Sequence, residues 1–191
     1  MLILIAPFFH RSAWAVAVLF AFVWLLRDKF QYSKWLLVIG SVLCAACYFL
    51  DINKIIAWAV KFTGIYKEYA SNNYVSRMTP LEIATKAAKL VVVYYSCWRL
   101  RKTELTVKES KFMALSEITV MMMILSWTSS LLWRLYMYAD LFLMFPVLIF
   151  FKREATKREK ILIYGYLVAM LLAKILLFPK GEFLYQGWFI R

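Results

Sequence analysis

Two neighbouring residues near the start of the chain, His10 and Arg11, have side chains suited to chemistry. They lie directly before a charge-free run that begins at Ser12, and His10 is the only histidine in the sequence. An imidazole titrates near neutral pH and can act as a general base, while a guanidinium binds phosphate oxygens. Both side chains are equally well explained as an interfacial cap that reaches lipid headgroups from a helix end. The sequence leaves both interpretations open.

A second candidate is Arg134, which lies in an otherwise apolar stretch. Ionisable residues inside apolar segments are energetically costly and are often functional. In a continuous helix Tyr138, four positions later, lies on the same face as Arg134, and Asp140 points away from that face. One interpretation of Asp140 is that it neutralises a cation on a neighbouring helix. Arg134 itself is predicted to bind phosphate, because its planar fork matches phosphate oxygens.

A third group of charges, Glu82, Lys86 and Lys89, recurs at helical spacing and therefore shares one helix face. This face is either a ligand-binding strip, with Lys86 and Lys89 contacting substrate, or a helix end that tilts into the membrane interface. The sequence contains no Gly-rich phosphate loop, no set of His and Cys with metal-ligand spacing, and no Gly-x-Ser-x-Gly motif. It therefore predicts neither a cofactor nor a metal.

The composition indicates a protein whose solvent is the lipid bilayer. Of 191 residues, 64% are hydrophobic and 18% are charged, whereas soluble domains are about 45–50% apolar. The net charge of +13 would suggest nucleic-acid binding in a soluble protein. Here it is better explained by basic cytoplasmic loops, and no nucleic-acid partner is predicted.

Apolar runs separated by charged loops predict six membrane spans in one domain, residues 1–191. The fold class is an all-α, multi-pass helical bundle. An amphipathic pattern in the segment Asp51–Pro80 predicts one further helix, lying in the membrane interface. The predicted spans are Ser12–Leu26, Trp35–Leu50, Leu81–Trp98, two helices between Met113 and Phe151 that are divided at Ser126–Ser130, and Ile161–Phe178.

The distribution of Lys and Arg predicts how the spans are oriented. Basic residues concentrate in the alternate loops 27–34, 99–111 and 152–160. Because basic residues favour the cytoplasmic side, these loops are predicted to be cytoplasmic. His10, Arg11 and the beginning of the helix that carries Arg134 then lie at the outer side.

Two short elements resemble the EpsG-like family of bacterial polysaccharide polymerases (Wzy-type). One is Phe8-Phe9-His10-Arg11-Ser12-Ala13, followed by an apolar helix. The other is Arg134-x-x-x-Tyr138, followed by an apolar run that reaches Pro146. The chain departs from the family pattern at Ala139, where the family has Phe. The resemblance covers most of this chain but only about the second half of such polymerases, so we expect a C-terminal half of a longer polymerase.

The resemblance implies glycosyl transfer between polyprenyl-pyrophosphate-linked oligosaccharides at the outer face of the bacterial inner membrane. The product would be an exopolysaccharide, capsule or O-antigen, and other polysaccharide-export proteins are possible partners. His10 and Arg134 would be catalytic, with His10 as the base for the acceptor hydroxyl. Arg134 and Arg11 would hold the departing pyrophosphate, and Tyr138 would stack on sugar rings.

Two alternatives from other classes remain. One is a non-enzymatic carrier or assembly subunit that binds and presents a lipid-linked glycan. Such a carrier needs access from both faces, whereas the candidate cations concentrate toward the outer one. The other alternative is a membrane acyltransferase that uses His10 as its base.

Overall fold

A computed structural model of the protein describes residues 17–18, 21, 24–25, 34–50, 54 and 77–177. Within these ranges the chain is helical and contains no strand, as the sequence predicts. The helices are α1 (Lys34–Ala46), α2 (Pro80–Arg99), α3 (Val107–Leu125), α4 (Ser130–Met137), α5 (Phe145–Arg153) and α6 (Lys157–Leu177). Short 3₁₀ segments cover Cys47–Phe49, Leu100–Lys102, Ser126–Thr128 and Asp140–Met144. The predicted interfacial helix lies outside the described residues, apart from the helical residue Lys54.

Three of these helices begin with the same four-residue pattern, Thr-x-x-Glu. In α3 the Thr106 hydroxyl accepts a hydrogen bond from the Glu109 backbone N–H, and the Glu109 carboxylate accepts one from the Thr106 N–H. Thr79 with Glu82 opens α2 in this way, and Thr156 with Glu159 opens α6. Each capping box satisfies backbone donors that a helix start otherwise leaves unpaired. The sequence thus fixes where these helices begin.

α3 is the central helix of the described bundle, and it packs against α1, α4, α5 and the 3₁₀ segment Asp140–Met144. Its side chains Val120 and Met123 are completely buried, as are Val93 of α2 and Phe150 of α5. Close approach between α1 and α3 occurs at Gly40, where the missing side chain leaves room for Met121. The core therefore centres on α3 and consists of one large apolar cluster and a second, small one formed by Leu115, Ala139 and Phe142.

The stretch after Ser130 departs from the sequence prediction. One helix continuing to Phe151 is expected, but α4 ends at Met137 and the chain passes through Asp140–Met144 before α5 begins. Pro146 lies in the first turn of α5. Proline lacks an N–H group and its ring clashes with the carbonyl four residues earlier, so a continuous α-helix through this point is disfavoured. The predicted division at Ser126–Ser130 is confirmed, because α3 ends at Leu125.

Ion pairs join four helix ends at one end of the bundle, which we call the basic end. Arg153 of α5 donates two hydrogen bonds to Glu109 of α3, at 3.1 and 2.6 Å. Arg99 of α2 lies 2.9 Å from the carboxylate of Glu159 in α6. These contacts place the predicted basic loops 99–111 and 152–160 at the same end, as an alternating arrangement of spans requires.

Within the described ranges, one helical segment, Val107–Thr128, is long and apolar enough to cross a membrane by length and composition. The helical segment Trp35–Phe49 is apolar but shorter. α2 has the length of a span, but it carries Glu82, Lys86, Lys89 and Arg99. The number of six spans therefore remains a prediction.

Candidate active site

An ion pair between Lys89 and Asp140 links α2 to the segment that follows α4. Lys89 is the tenth of the twenty residues of α2, so it lies about 14 Å along the helix from Pro80. Its ammonium donates to both carboxylate oxygens of Asp140, at 3.2 and 3.1 Å. The side chains are 36% and 42% exposed, so the pair is accessible rather than sealed in the core.

The break between α4 and α5 positions Asp140. The backbone turns at Tyr138 and Ala139, where the Ala139 N–H donates to the Tyr136 carbonyl at 2.7 Å. This turn brings Asp140 toward α2, and the Tyr136 hydroxyl donates a hydrogen bond to the same carboxylate. Tyr136 is 1% exposed, so its ring is anchored in the core while its hydroxyl supports Asp140. The carboxylate therefore has two partners, the ammonium of Lys89 and the hydroxyl of the buried Tyr136.

A second lysine, Lys86, lies one helical turn from Lys89 toward Thr79. Its ammonium lies 3.7 Å from the centre of the Trp133 ring and 3.6 Å from the Met78 sulfur. Trp133 and Tyr136 of α4 are neighbours, with ring centres 4.9 Å apart. A cation over an aromatic face is attracted by the ring quadrupole. The lysines of α2 thus both point toward α4 and the segment that follows it.

Backbone contacts fix the segment that precedes α2. The Met78 N–H donates to the Trp127 carbonyl at 3.1 Å, and the Met78 carbonyl accepts from the Tyr48 hydroxyl at 3.2 Å. The guanidinium of Arg77 lies 5.8 Å from the centre of the Tyr48 ring and donates to the Leu50 carbonyl. These contacts join the end of α1, the start of α2 and the end of α3, and so define the end of the bundle opposite the basic end.

We call the group Lys86, Lys89, Trp133, Tyr136 and Asp140 the Lys89–Asp140 site. It combines two ammonium groups, one carboxylate and two neighbouring aromatic rings whose planes are tilted by 38°. The ammonium groups suit an anion such as a phosphate, the half-buried Trp133 ring suits the apolar face of a sugar, and the carboxylate can accept a proton or a hydrogen bond. The carboxylates, imidazoles and thiols of the described residues form no cluster that could hold a metal ion.

The structure brings some of the predicted site residues together. Lys86 and Lys89 both belong to the Lys89–Asp140 site. His10 and Arg11 lie outside the described residues. Arg134 follows Trp133 in α4, and only its backbone is described.

The expectation for Tyr138 and Asp140 rested on a continuous helix and was wrong in that respect. Because α4 ends at Met137, Tyr138 lies in the following turn, where it packs against an apolar cluster that includes Ala139 and Phe142. Tyr138 is half-buried there. The alternative interpretation of Asp140, a counter-ion for a cation on a neighbouring helix, is confirmed by its pairing with Lys89.

Trp133 and Tyr136 were not among the site residues predicted from the sequence. A signal was present, because Trp133 and Tyr136 are three residues apart and Tyr136 and Asp140 are four apart, spacings that bring side chains together on a helix. The pairing of this group with α2 depends on how the helices pack. Residue spacing within one segment does not determine that packing.

Comparison with known proteins identifies the family. The family model described as the EpsG family matches residues 1–189, essentially the whole chain. No curated protein and no solved structure matches the chain. The family match agrees with the apolar composition, the helical bundle and the Arg134-x-x-x-Tyr138 element noted in the sequence. The chain therefore belongs to the EpsG family and is a membrane protein of the polysaccharide-polymerase type.

Proposed function

We propose that this protein extends polysaccharides by glycosyl transfer between polyprenyl-pyrophosphate-linked oligosaccharides at the outer face of the bacterial inner membrane. The observation that supports this most directly is the Lys89–Asp140 site. It presents two cations beside aromatic rings in the first half of α2, the half farther from the basic end, where an anionic lipid headgroup and its sugar could both be bound. The product would be an exopolysaccharide, capsule or O-antigen.

In the proposed reaction the hydroxyl oxygen of the acceptor sugar attacks the anomeric carbon of the donor glycan. The bond from that carbon to the pyrophosphate oxygen breaks, and its electron pair leaves with the polyprenyl pyrophosphate. The hydroxyl proton passes to a base, for which we propose His10. Lys86, Lys89, Arg11 and Arg134 would offset the charge that develops on the departing pyrophosphate.

The aromatic residues would bind the sugar portion. Trp133 presents a ring beside Lys86, and we propose that a sugar stacks on it, next to the pyrophosphate that the lysine binds. Tyr138 is proposed to contact a second sugar from the turn after α4. This arrangement requires no nucleotide sugar, because the lipid-linked donor already carries an activated anomeric carbon.

The experiment is to incubate the purified full chain in lipid nanodiscs with a lipid-linked oligosaccharide and to resolve the glycan products by size. Longer glycans are expected from the wild type. Arg134→Ala should abolish elongation and Arg134→Lys should leave a small remainder, because lysine keeps the charge but loses the planar fork. Arg101→Ala, at the exposed basic end, serves as a matched control and should elongate normally.

The result also separates the alternatives. A carrier or assembly subunit would bind the lipid-linked oligosaccharide without lengthening it. An acyltransferase would transfer an acyl group and leave glycan length unchanged. Unchanged polymer length and yield in Arg134→Ala, at normal protein levels, would contradict the catalytic role of Arg134.

A further inference from the structure

The Lys89–Asp140 pair differs from the ion pairs at the basic end in ways that bear on its use. Glu109 is 11% exposed, accepts hydrogen bonds from the guanidinium of Arg153, and also caps α3. Lys89 and Asp140 are 36% and 42% exposed, and a flexible lysine makes the contact. A single ammonium also lacks the rigid, planar set of donors with which a guanidinium holds a carboxylate. The Lys89–Asp140 contact is thus easier to exchange than the contact between Arg153 and Glu109.

Asp140 keeps a second partner if Lys89 moves away. The hydroxyl of the buried Tyr136 donates to Asp140, so loss of the ammonium does not leave the carboxylate without a hydrogen bond. Lysine has a long stem with several rotatable bonds, and its ammonium can therefore change partners without a backbone movement. The geometry allows Lys89 to leave while Asp140 stays in place.

We infer that Asp140 is an exchangeable counter-ion, which holds Lys89 until the pyrophosphate group of a polyprenyl-linked substrate takes the ammonium from it. The inference rests on the proposed function and names the group that the site would bind. Lys89 would swing from the carboxylate to a phosphate oxygen while Tyr136 retains Asp140. The exchange breaks and forms only non-covalent contacts.

Two features favour a pyrophosphate over a single phosphate. Lys86 and Lys89 are three residues apart on α2, so they lie on one helix face and can contact two linked phosphates. Both side chains also reach toward α4 and the segment after it. A phosphodiester headgroup of an ordinary lipid carries one negative charge, which one ammonium already balances.

Two substitutions are expected to change pyrophosphate binding in opposite directions. Asp140 competes with the pyrophosphate for Lys89, so Asp140→Asn should tighten binding. If the pair is closed in about nine molecules of ten, the apparent affinity should rise about tenfold when it is removed. Tyr136→Phe should act in the opposite direction, because Asp140 then depends on Lys89 alone and releases it less readily.

The test measures binding of farnesyl pyrophosphate to the full chain in neutral phosphatidylcholine nanodiscs, by native mass spectrometry. The variants are Asp140→Asn, Tyr136→Phe, Lys89→Met and the double variant Lys89→Met with Asp140→Asn. Glu104→Gln, an exposed residue before α3, is the matched control for loss of one negative charge. Tighter binding in Asp140→Asn that disappears in the Lys89→Met background supports the exchange.

Several outcomes would overturn the inference. These are weaker or unchanged binding in folded Asp140→Asn, a gain that persists without Lys89, or an equal gain in Glu104→Gln. If Asp140→Asn does not fold, the Tyr136→Phe variant decides, since unchanged or tighter binding there contradicts the exchange.

Farnesyl monophosphate, inorganic pyrophosphate and phosphatidylglycerol are titrated alongside farnesyl pyrophosphate. Equal binding of the monophosphate or of phosphatidylglycerol would refute recognition of the pyrophosphate.

Inorganic pyrophosphate tests whether the charged group alone accounts for the exchange. An Asp140-dependent gain is expected with inorganic pyrophosphate as well as with the lipid, because the charged group is the same. The binding measurement does not require elongation. Normal elongation without the predicted binding changes would overturn the exchange and leave the proposed function standing. If the binding changes occur as predicted but no elongation is detected, the exchange stands and the proposed function is overturned.

Discussion

The ammonium of Lys86 lies 3.7 Å from the centre of the Trp133 ring and so ties the first half of α2 to α4. We expect Trp133→Leu to raise the KM for a lipid-linked oligosaccharide about tenfold, because the ring both positions Lys86 and offers a face to a sugar. Initial rates of elongation at varied substrate concentration measure this. Trp98→Leu, an exposed tryptophan near the basic end, is the control and should leave KM unchanged. An equal effect of both substitutions would contradict a specific role for Trp133.

The ion pair between Arg153 and Glu109 predicts a second effect, on stability. Arg153→Ala should lower the melting temperature of the detergent-purified protein by several degrees, because it removes two charge-assisted hydrogen bonds from the capped start of α3. Lys152→Ala is the matched control, since Lys152 lies 3.9 Å from the same carboxylate and its side chain is 76% exposed. We expect little change in that variant. Equal melting temperatures for Arg153→Ala and Lys152→Ala would show that the bidentate pair is not stabilising.

Glu159 should make the thermal stability of the protein depend on pH in the acid range. Hydrogen bonds from the Thr156 N–H and the Tyr95 hydroxyl, together with Arg99, lower the pKa of Glu159 from 4.5 to about 2. A pKa lowered by folding contributes stability that is fully present above about pH 4.5 and is lost as the pH falls toward 2. Glu159→Gln should therefore melt about 2–4 °C below the wild type at pH 7, and the gap should narrow as the pH falls from 4.5 toward 2.

The control for this pH dependence is Glu104→Gln, which changes an exposed carboxylate near the same end. Its melting temperature should follow the wild type at each pH. Thermal unfolding monitored by circular dichroism between pH 7 and pH 3 makes the comparison. A constant gap between Glu159→Gln and the wild type over this range would contradict the prediction.

Two helical glycines should respond differently to substitution. A Cβ at Gly165 in α6 would meet no atom within 4 Å, so Gly165→Ala should stabilise the protein by roughly 0.5–1 kcal/mol through helix propensity. At Gly40 a Cβ would overlap the terminal methyl of Met121, so that flexible side chain must move aside. Gly40→Ala should gain less than Gly165→Ala, and Gly40→Leu should destabilise the contact between α1 and α3 strongly. Chemical denaturation of the purified variants measures the order, and an equal gain from both alanine substitutions would show that the close approach at Gly40 is unimportant.

The helix boundaries could be predicted well where local signals act alone. The predicted span Leu81–Trp98 becomes α2, Pro80–Arg99, because a Thr-x-x-Glu capping box and Pro80 fix its start. The predicted span Ile161–Phe178 likewise becomes α6, Lys157–Leu177. Where the prediction failed, after Ser130, the sequence stays mostly apolar, although the helix is interrupted between Met137 and Phe145, just before Pro146. Apolar content reports burial in lipid or protein, not continuity of backbone hydrogen bonds.

Only part of the candidate site could be predicted from the sequence. Lys86 and Lys89 could be selected because, with Glu82, they recur at helical spacing and share one helix face. Their aromatic neighbours could not, since Trp133 and Tyr136 lie more than forty residues along the chain in a segment rich in other aromatic residues. Nothing in the spacing of either segment specifies which helix faces meet.

The amino-acid sequence by itself determined the helical class, the capped helix starts, the basic loops and the family resemblance, because each depends on composition or on residues close together in the chain. Tertiary structure alone decided that Asp140 turns toward Lys89 and that Trp133 lies under Lys86. The physical reason is that these contacts depend on the break between α4 and α5 and on the packing of both helices around α3. That packing forms only when segments distant in the chain come together in one core.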